Sequence, residues 1–270
     1  MSPFIEPFAS IWWFVLGTVI GSFLNVCIYR LPRDLSIVSP GSACPACGTP
    51  VKWYQNIPVL SWIMLRGKCA HCGTGISLRY PFVELFSGVI VLVTWLYFGP
   101  SLGFAIAAPF ALAMLVLFFT DYDLKLLPDA ITLTGFVTGM AVAWWNPFLE
   151  GQGLERIWWA LVGACLGSGF LWATGAIYGR LRGVEAMGMG DVKMMALVGA
   201  FTGWQGVLFT IFGASVVGAV VGVALVPLRG RSMQDTLPFG CFLAPAAVVA
   251  MLYARDLIAW YLRMVLPPTI

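Results

Sequence analysis

Charge is what this sequence most lacks. Only 10% of its 270 residues are charged, against 60% hydrophobic, whereas an ordinary soluble domain carries about 25%. That shortage excludes a soluble globular protein of this length. Histidine is almost missing as well: His71 is the only one, and it stands between two cysteines, so no serine–histidine pair is available for acyl transfer. No basic segment precedes the first apolar run, and Arg30 and Arg33 follow it, which is not the layout of a cleavable signal peptide. There is no low-complexity tract and no repeat longer than a helical hairpin. No G-x-G-x-x-G follows a strand pattern, so no dinucleotide-type loop is expected. The net charge of +3 does not point to nucleic acid, because the basic residues lie mostly in loops, where membrane topology explains them.

What is present is apolar sequence. Stretches of about 18 residues or more recur, each long enough to span a bilayer core of roughly 30 Å. The pattern predicts an all-α polytopic membrane protein with about eight transmembrane helices, at 9–29, 82–98, 103–121, 128–146, 156–178, 192–205, 206–227 and 240–261. The sixth is short and nearly touches the seventh. Basic residues accumulate in cytoplasmic loops. With the amino terminus outside, twelve Lys and Arg fall inside, from Arg30 to Arg231, and only Arg156, Arg255 and Arg263 outside. The expected organisation is a first transmembrane helix (1–30), a polar cytoplasmic insertion (31–80) and a helical membrane core (81–270). Glycine and alanine between 160 and 224 suit close helix packing.

The insertion is too small for a comfortable core and carries its own staple. Cys44, Cys47, Cys69 and Cys72 form two C-x2-C pairs separated by 21 residues, a spacing of the zinc-ribbon class. Glycines after each pair, Gly48 and Gly73, let the knuckle turn. Two disulfides are the alternative, disfavoured in a reducing compartment. Four cysteines close the coordination sphere, so the zinc is expected to be structural. Cys27, Cys165 and Cys241 lie in apolar spans and read as packing residues.

Acidic residues near spans are few: Glu84, Asp121, Asp123, Asp129 and Asp191, with Asp256 towards the outside. Ionisable groups at membrane depth are functional candidates by default. Two carboxylates that share a proton can activate water and protonate a leaving amine, the chemistry of aspartic proteases. Asp129 follows Pro128 and reads as a helix start. Asp123 reads as a solvated loop residue. Asp121 ends a helix, where the dipole disfavours an anion; Asp191 begins one. That polarity predicts the charge on Asp191 and the proton on Asp121.

At this point the sequence resembles a family, the type IV prepilin peptidases, also called leader peptidase/N-methyltransferases. The resemblance runs through "GSFLNVCIYRLP" (21–32), the cysteine-bearing loop with "NIPVLSW" and "RYPFVEL", "DYDLKLLPD" (121–129), "GMGD" (188–191) and "PFG" (238–240). It implies Asp121 and Asp191 as the catalytic pair. It implies cleavage of the basic leader of type IV prepilins or of type II secretion pseudopilins, after a glycine, at the cytoplasmic side of the bacterial inner membrane. It further implies methylation of the new amino terminus with S-adenosylmethionine, with prepilins or pseudopilins and the lipid bilayer as partners. On this reading Gly188 and Gly190 let the backbone approach the substrate, and 187–190 is an irregular lead into the sixth span. Glu84 either pairs with Arg79 or Arg30 or touches the methyl-donor site; Asn25 and Arg30 carry the same ambiguity. Two alternatives stand beside it: a peptidase without methyltransferase activity, and a proton-coupled transporter.

Overall fold

The computed structural model describes residues 5–183, 187–229 and 238–265. The described residues are helical apart from loops and two isolated β-bridges. Eight α-helices follow in order: α1 (Ile5–Arg30), α2 (Leu60–Met64), α3 (Arg79–Phe98), α4 (Leu102–Leu124), α5 (Asp129–Val142), α6 (Leu154–Arg182), α7 (Met189–Arg229) and α8 (Gly240–Val265). Six of them, all but α2 and α5, are long and apolar enough to cross a membrane. Helix α5, at 14 residues, reaches about 21 Å. Arg231, one of the basic residues used for topology, lies outside the described residues. The chain forms two compact units, 1–112 and 113–270, with the boundary inside α4.

In the first unit α1 and α3 run antiparallel in close contact. Gly17 and Gly21 are one helical turn apart. A Cβ on Gly17 would lie 2.9 Å from the Gly88 Cα, and one on Gly21 2.7 Å from the Glu84 Cα. Apolar lipid gives helices no reason to associate by burial alone, so small residues that let backbones meet supply the attraction. Trp13, Trp95 and Phe104 close one end as an aromatic cluster, with ring centroids 4.7–5.3 Å apart. At the other end the Asn25 amide donates to the Tyr80 carbonyl at 3.1 Å. Arg30 donates to the carbonyls of Ser36 and Pro40, each at 2.8 Å. Both residues therefore shape the entry into the insertion.

In the second unit the sixth and seventh expected spans are the two arms of α7. Gly203 interrupts the helix with φ 68° and ψ −171°, a region essentially open only to glycine. The chain reverses there. A Cβ on Gly167 would touch both Met195, at 2.9 Å, and Val207, at 3.3 Å. In one straight helix those two residues would stand about 18 Å apart. A Cβ on Gly163 would likewise meet the Gly199 carbonyl oxygen and the Gly203 backbone, each at 2.6 Å. Both arms thus lie against the glycine stripe of α6. The break frees carbonyls at the end of the first arm, and buried Asn146 donates to that of Phe201 at 2.9 Å.

The reversal sorts the loops of this unit into two sets. One end holds 143–153, Gly203 and Arg255, tied together by Gln205–Glu150 at 2.8 Å and Arg255–Pro147 at 3.2 Å. The other end holds 121–129, 187–193 and 238–241. Gly203→Ala should destabilise the protein by about 1–3 kcal/mol, the usual strain of a non-glycine residue in such a conformation. Thermal unfolding in detergent measures it; an unchanged midpoint would mean that the turn is not constrained as described.

Candidate active site and metal centre

Asp121 stands in the last turn of α4 and is 5% exposed. A helix carboxyl end presents carbonyls, which offer a carboxylate nothing. Its partner comes from elsewhere: the backbone amide of Cys241, in the first turn of α8, donates to Asp121 Oδ2 at 3.0 Å. Gly240 lies against the same group; a Cβ there would come within 2.9 Å of Oδ2. Asp191 lies in the first turn of α7 and is close enough to Asp121 for the two charges to interact. The structure therefore brings together the two aspartates singled out from sequence.

Helix polarity acts on Asp121 from two sides. Asp121 ends α4 but also faces the amino terminus of α8, and those two helix ends act on it with opposite sign. The sequence argument saw only the first. The neighbours of Asp121 at Gly240 and Cys241 were not assigned to the site either, although the "PFG" segment was the available signal.

The remaining acids separate. Asp129 lies in the first turn of α5, after Pro128, and pairs with Lys193 of α7 at 2.7 Å. That bridge is partly exposed, which limits it to about 1 kcal/mol. Asp123 is exposed. A cavity of about 490 Å³ lined by residues including Glu150, Gln205, Arg255 and Asp256 lies at the other end of this unit, away from the aspartates.

The segment 187–190 is only half irregular. Met187 and Gly188 are non-helical, whereas Met189 and Gly190 already belong to α7. Gly188 is exposed, and a Cβ there would meet only Asp191 Oδ2, at 3.5 Å. Gly190 packs on Leu127, where a Cβ would come within 3.0 Å. So Gly188 is the open position beside the carboxylate, and Gly190 is a packing glycine that sets α7 against the loop before α5.

Glu84 is buried in α3 and accepts the Val59 amide at 2.8 Å, with the Ser22 hydroxyl as a second partner. Val59 has φ 61° and ψ −49°, and the Leu60 amide bonds back to the Pro58 carbonyl at 2.6 Å. This is a γ-turn of the strained, positive-φ kind, unusual for a β-branched residue. Glu84 holds that turn, which is a structural use of its carboxylate.

In the insertion the four thiols converge. The Sγ atoms of Cys44, Cys47, Cys69 and Cys72 all lie within 4.8 Å of one another, and those of Cys44 and Cys72 are 3.8 Å apart. Tetrahedral zinc with Zn–S bonds of about 2.3 Å requires sulfurs about 3.8 Å apart, so the donor set fits. The two knuckles repeat each other 25 residues apart. In each, the first cysteine's amide donates to a threonine carbonyl, Thr49 at 3.0 Å or Thr74 at 2.8 Å. The glycine amide returns to that cysteine, and Gly48 and Gly73 take φ 69° and 72°. Each knuckle closes on an isolated bridge, Ala43–Pro50 or Lys68–Gly75. This short repeat was not seen in the sequence. Hydrogen bonding with Thr74 brings the Cys72 thiol down to about 6. His71 contributes its backbone amide to Cys69 Sγ at 3.5 Å and is not among the four ligands. Between the knuckles Trp62 donates to the Ile76 carbonyl at 3.1 Å and packs on Gly67.

Comparisons with known proteins point to one family. Residues 15–98 match the family described as "Bacterial Peptidase A24 N-terminal domain", and residues 108–223 match the "Type IV leader peptidase family". A "Prepilin leader peptidase/N-methyltransferase" of Pseudomonas putida is 36% identical, with 91% of each chain covered. The protein of the same name from Burkholderia pseudomallei (strain 1026b) is 37% identical over 88% of this chain and 84% of its own. That of Aeromonas salmonicida (strain A449) is 34% identical over 94% of both. No solved structure matches the chain.

The purified protein should contain one zinc per chain, held by four thiols that resist alkylation until a chelator removes the metal. Elemental analysis with thiol counting checks this. Fully alkylated thiols in a stable preparation with less than one metal per chain would contradict it.

Proposed function

The chain belongs to the type IV leader peptidase family, and from that premise we propose that Asp121 and Asp191 are its catalytic carboxyl pair. It cleaves prepilin leaders and N-methylates the amino terminus so produced, and it is a multi-pass inner-membrane protein. The observation that carries the proposal is the convergence of two aspartates at one end of an apolar helical unit, one of them gripped by a helix amide.

The mechanism follows from the pair. Two carboxyl groups close together do not both ionise readily, so they hold one proton between them. The ionised member takes a proton from water, and the oxygen so activated attacks the scissile carbonyl. The protonated member gives its proton to the leaving amine as the C–N bond breaks. The proton taken from water restores the starting state. Gly188, exposed next to Asp191, leaves room for an extended substrate backbone.

We place the aspartates and the insertion on the cytoplasmic side. The support is the charge pattern: Lys125, Arg180, Arg182 and Lys193 lie at the aspartate end of the second unit, and Arg156 and Arg255 at the other. The clients are prepilins or pseudopilins, presented from the bilayer. The insertion, 31–80, is a zinc-binding domain, and 81–270 carries the peptidase core. Zinc bound by Cys44, Cys47, Cys69 and Cys72 has no open position for water, so it stabilises the fold and takes no part in cleavage. The methyl donor is S-adenosylmethionine, which supplies an electrophilic methyl group to the new amine. Glu84, weighed above as a contact for it, is already committed to Val59 and Ser22, so no step is assigned to that residue.

Asp121→Asn and Asp191→Asn should each lower leader cleavage by about 10²–10⁴-fold, the usual contribution of a positioned acid or base. Methylation of an already cleaved pilin should remain within twofold of the parent. Co-expression with a prepilin and N-terminal mass analysis reads both activities; near-normal cleavage by either variant would refute the assignment.

A further inference from the structure

We infer that the turn into α8, Phe239–Cys241, is the positioning element of Asp121. Its backbone amide fixes one carboxylate oxygen, and its glycine leaves the space that the carboxylate fills. The inference rests on the reading of Asp121 as a peptidase carboxyl.

The geometry supports it from three directions. First, α8 begins at Gly240, and the Phe239 carbonyl accepts the amides of Phe242 and Leu243 at 2.9 and 3.0 Å. The amides of the first helical residues have no partner within their own helix. That of Cys241 is spent on Asp121 Oδ2, at 3.0 Å, and that of Gly240 lies close enough to act on the same group.

Second, glycine at 240 is not required by the backbone, since its φ is not in the left-handed region. It is required by the carboxylate. A Cβ at 240 would lie 2.9 Å from Oδ2, 3.0 Å from Cγ and 3.3 Å from Cβ of Asp121. Asp121 cannot move aside freely, because it is in the last turn of α4, and the Lys125 amide bonds its carbonyl at 2.8 Å.

Third, the Cys241 side chain lies against the same carboxylate as its amide, with Sγ also donating to the Phe118 carbonyl at 3.4 Å. The contact thus has a main-chain and a side-chain part, and the main-chain part is isolated by comparing two variants that both lack the thiol and differ in the amide. Residues 239–241 touch no substrate in this account; they act through Asp121.

The test uses the full-length protein, a purified prepilin and an already cleaved pilin. Gly240→Ala adds one methyl group at the carboxylate while improving the helix, because alanine is the better helix former. It should lower kcat for cleavage at least about 30-fold, leave KM within threefold and leave methylation within twofold. Cys241→Pro removes the amide at a first-turn position where proline is tolerated. Compared with Cys241→Ala, which keeps the amide, it should lower kcat at least about tenfold with KM unchanged. Gly213→Ala, where a Cβ would find nothing nearer than 3.7 Å, serves as the control.

Cleavage by Gly240→Ala within threefold of the parent overturns the inference, as does equal kcat in the two Cys241 variants. If Gly240→Ala loses both activities together, its fold has failed and the Cys241 pair decides. Cleavage retained by Asp121→Asn would instead refute the reading of the site, whatever Gly240→Ala does.

Discussion

The reversal of α7 at Gly203 is the constraint on which the site depends. Three backbones meet there, those of α6 and the two arms of α7; they leave no room for a side chain at Gly163 or Gly199, and the positive φ of Gly203 excludes one by conformation. Because the chain turns back, the second arm returns to the end from which the first began. Helix α8 then starts at that end, beside Asp121 and not some 20 Å away. Remove the reversal and the amide of Cys241 cannot meet a carboxylate at the end of α4. The packing of small residues, an interaction without chemistry of its own, thus decides where the chemistry can be.

The second constraint is the expense of a carboxylate in apolar surroundings. The fold meets it with helix ends. Asp191 lies in the first turn of α7, and Asp121 borrows the first turn of α8. Glu84 follows the same rule in the first unit, taking the amide of a strained Val59 turn. Asp129 follows a different one and pairs with Lys193 near the surface.

Much of this was legible in the sequence, for identifiable reasons. Hydropathy exposes helices because a bilayer leaves few alternatives, so the α7 hairpin was readable from two apolar runs, although 14 residues made its first arm look doubtful. The cysteine spacing announced the metal site because four ligands on two short knuckles permit little else. The acids near the spans were legible as rare charges, and the family resemblance, not rarity, selected Asp121 and Asp191 from them. Three things were not. One partner of Asp121 is a main-chain amide 120 residues away, and main chain carries no sequence signal. The packing of Gly190 on Leu127 was hidden, because a glycine packed on a neighbour and a glycine open to a cleft are written with the same letter. The strain at Val59 was invisible because valine is the residue least expected to adopt it. The transporter alternative rested on acids at membrane depth alone, and family membership removes it; the relatives' shared name carries both peptidase and methyltransferase.

The central claim is that Asp121 and Asp191 converge at one end of the second unit, and it is most directly tested by cross-linking. In a Cys241→Ala background, Asp121→Cys and Asp191→Cys combined should form a disulfide in native membranes under mild oxidation. Mass spectrometry would identify the linked peptides carrying positions 121 and 191, and the link should be absent from either single variant. If both introduced thiols are present and reactive, yet link only to other cysteines or to none, the two positions do not meet and the account of the site is wrong.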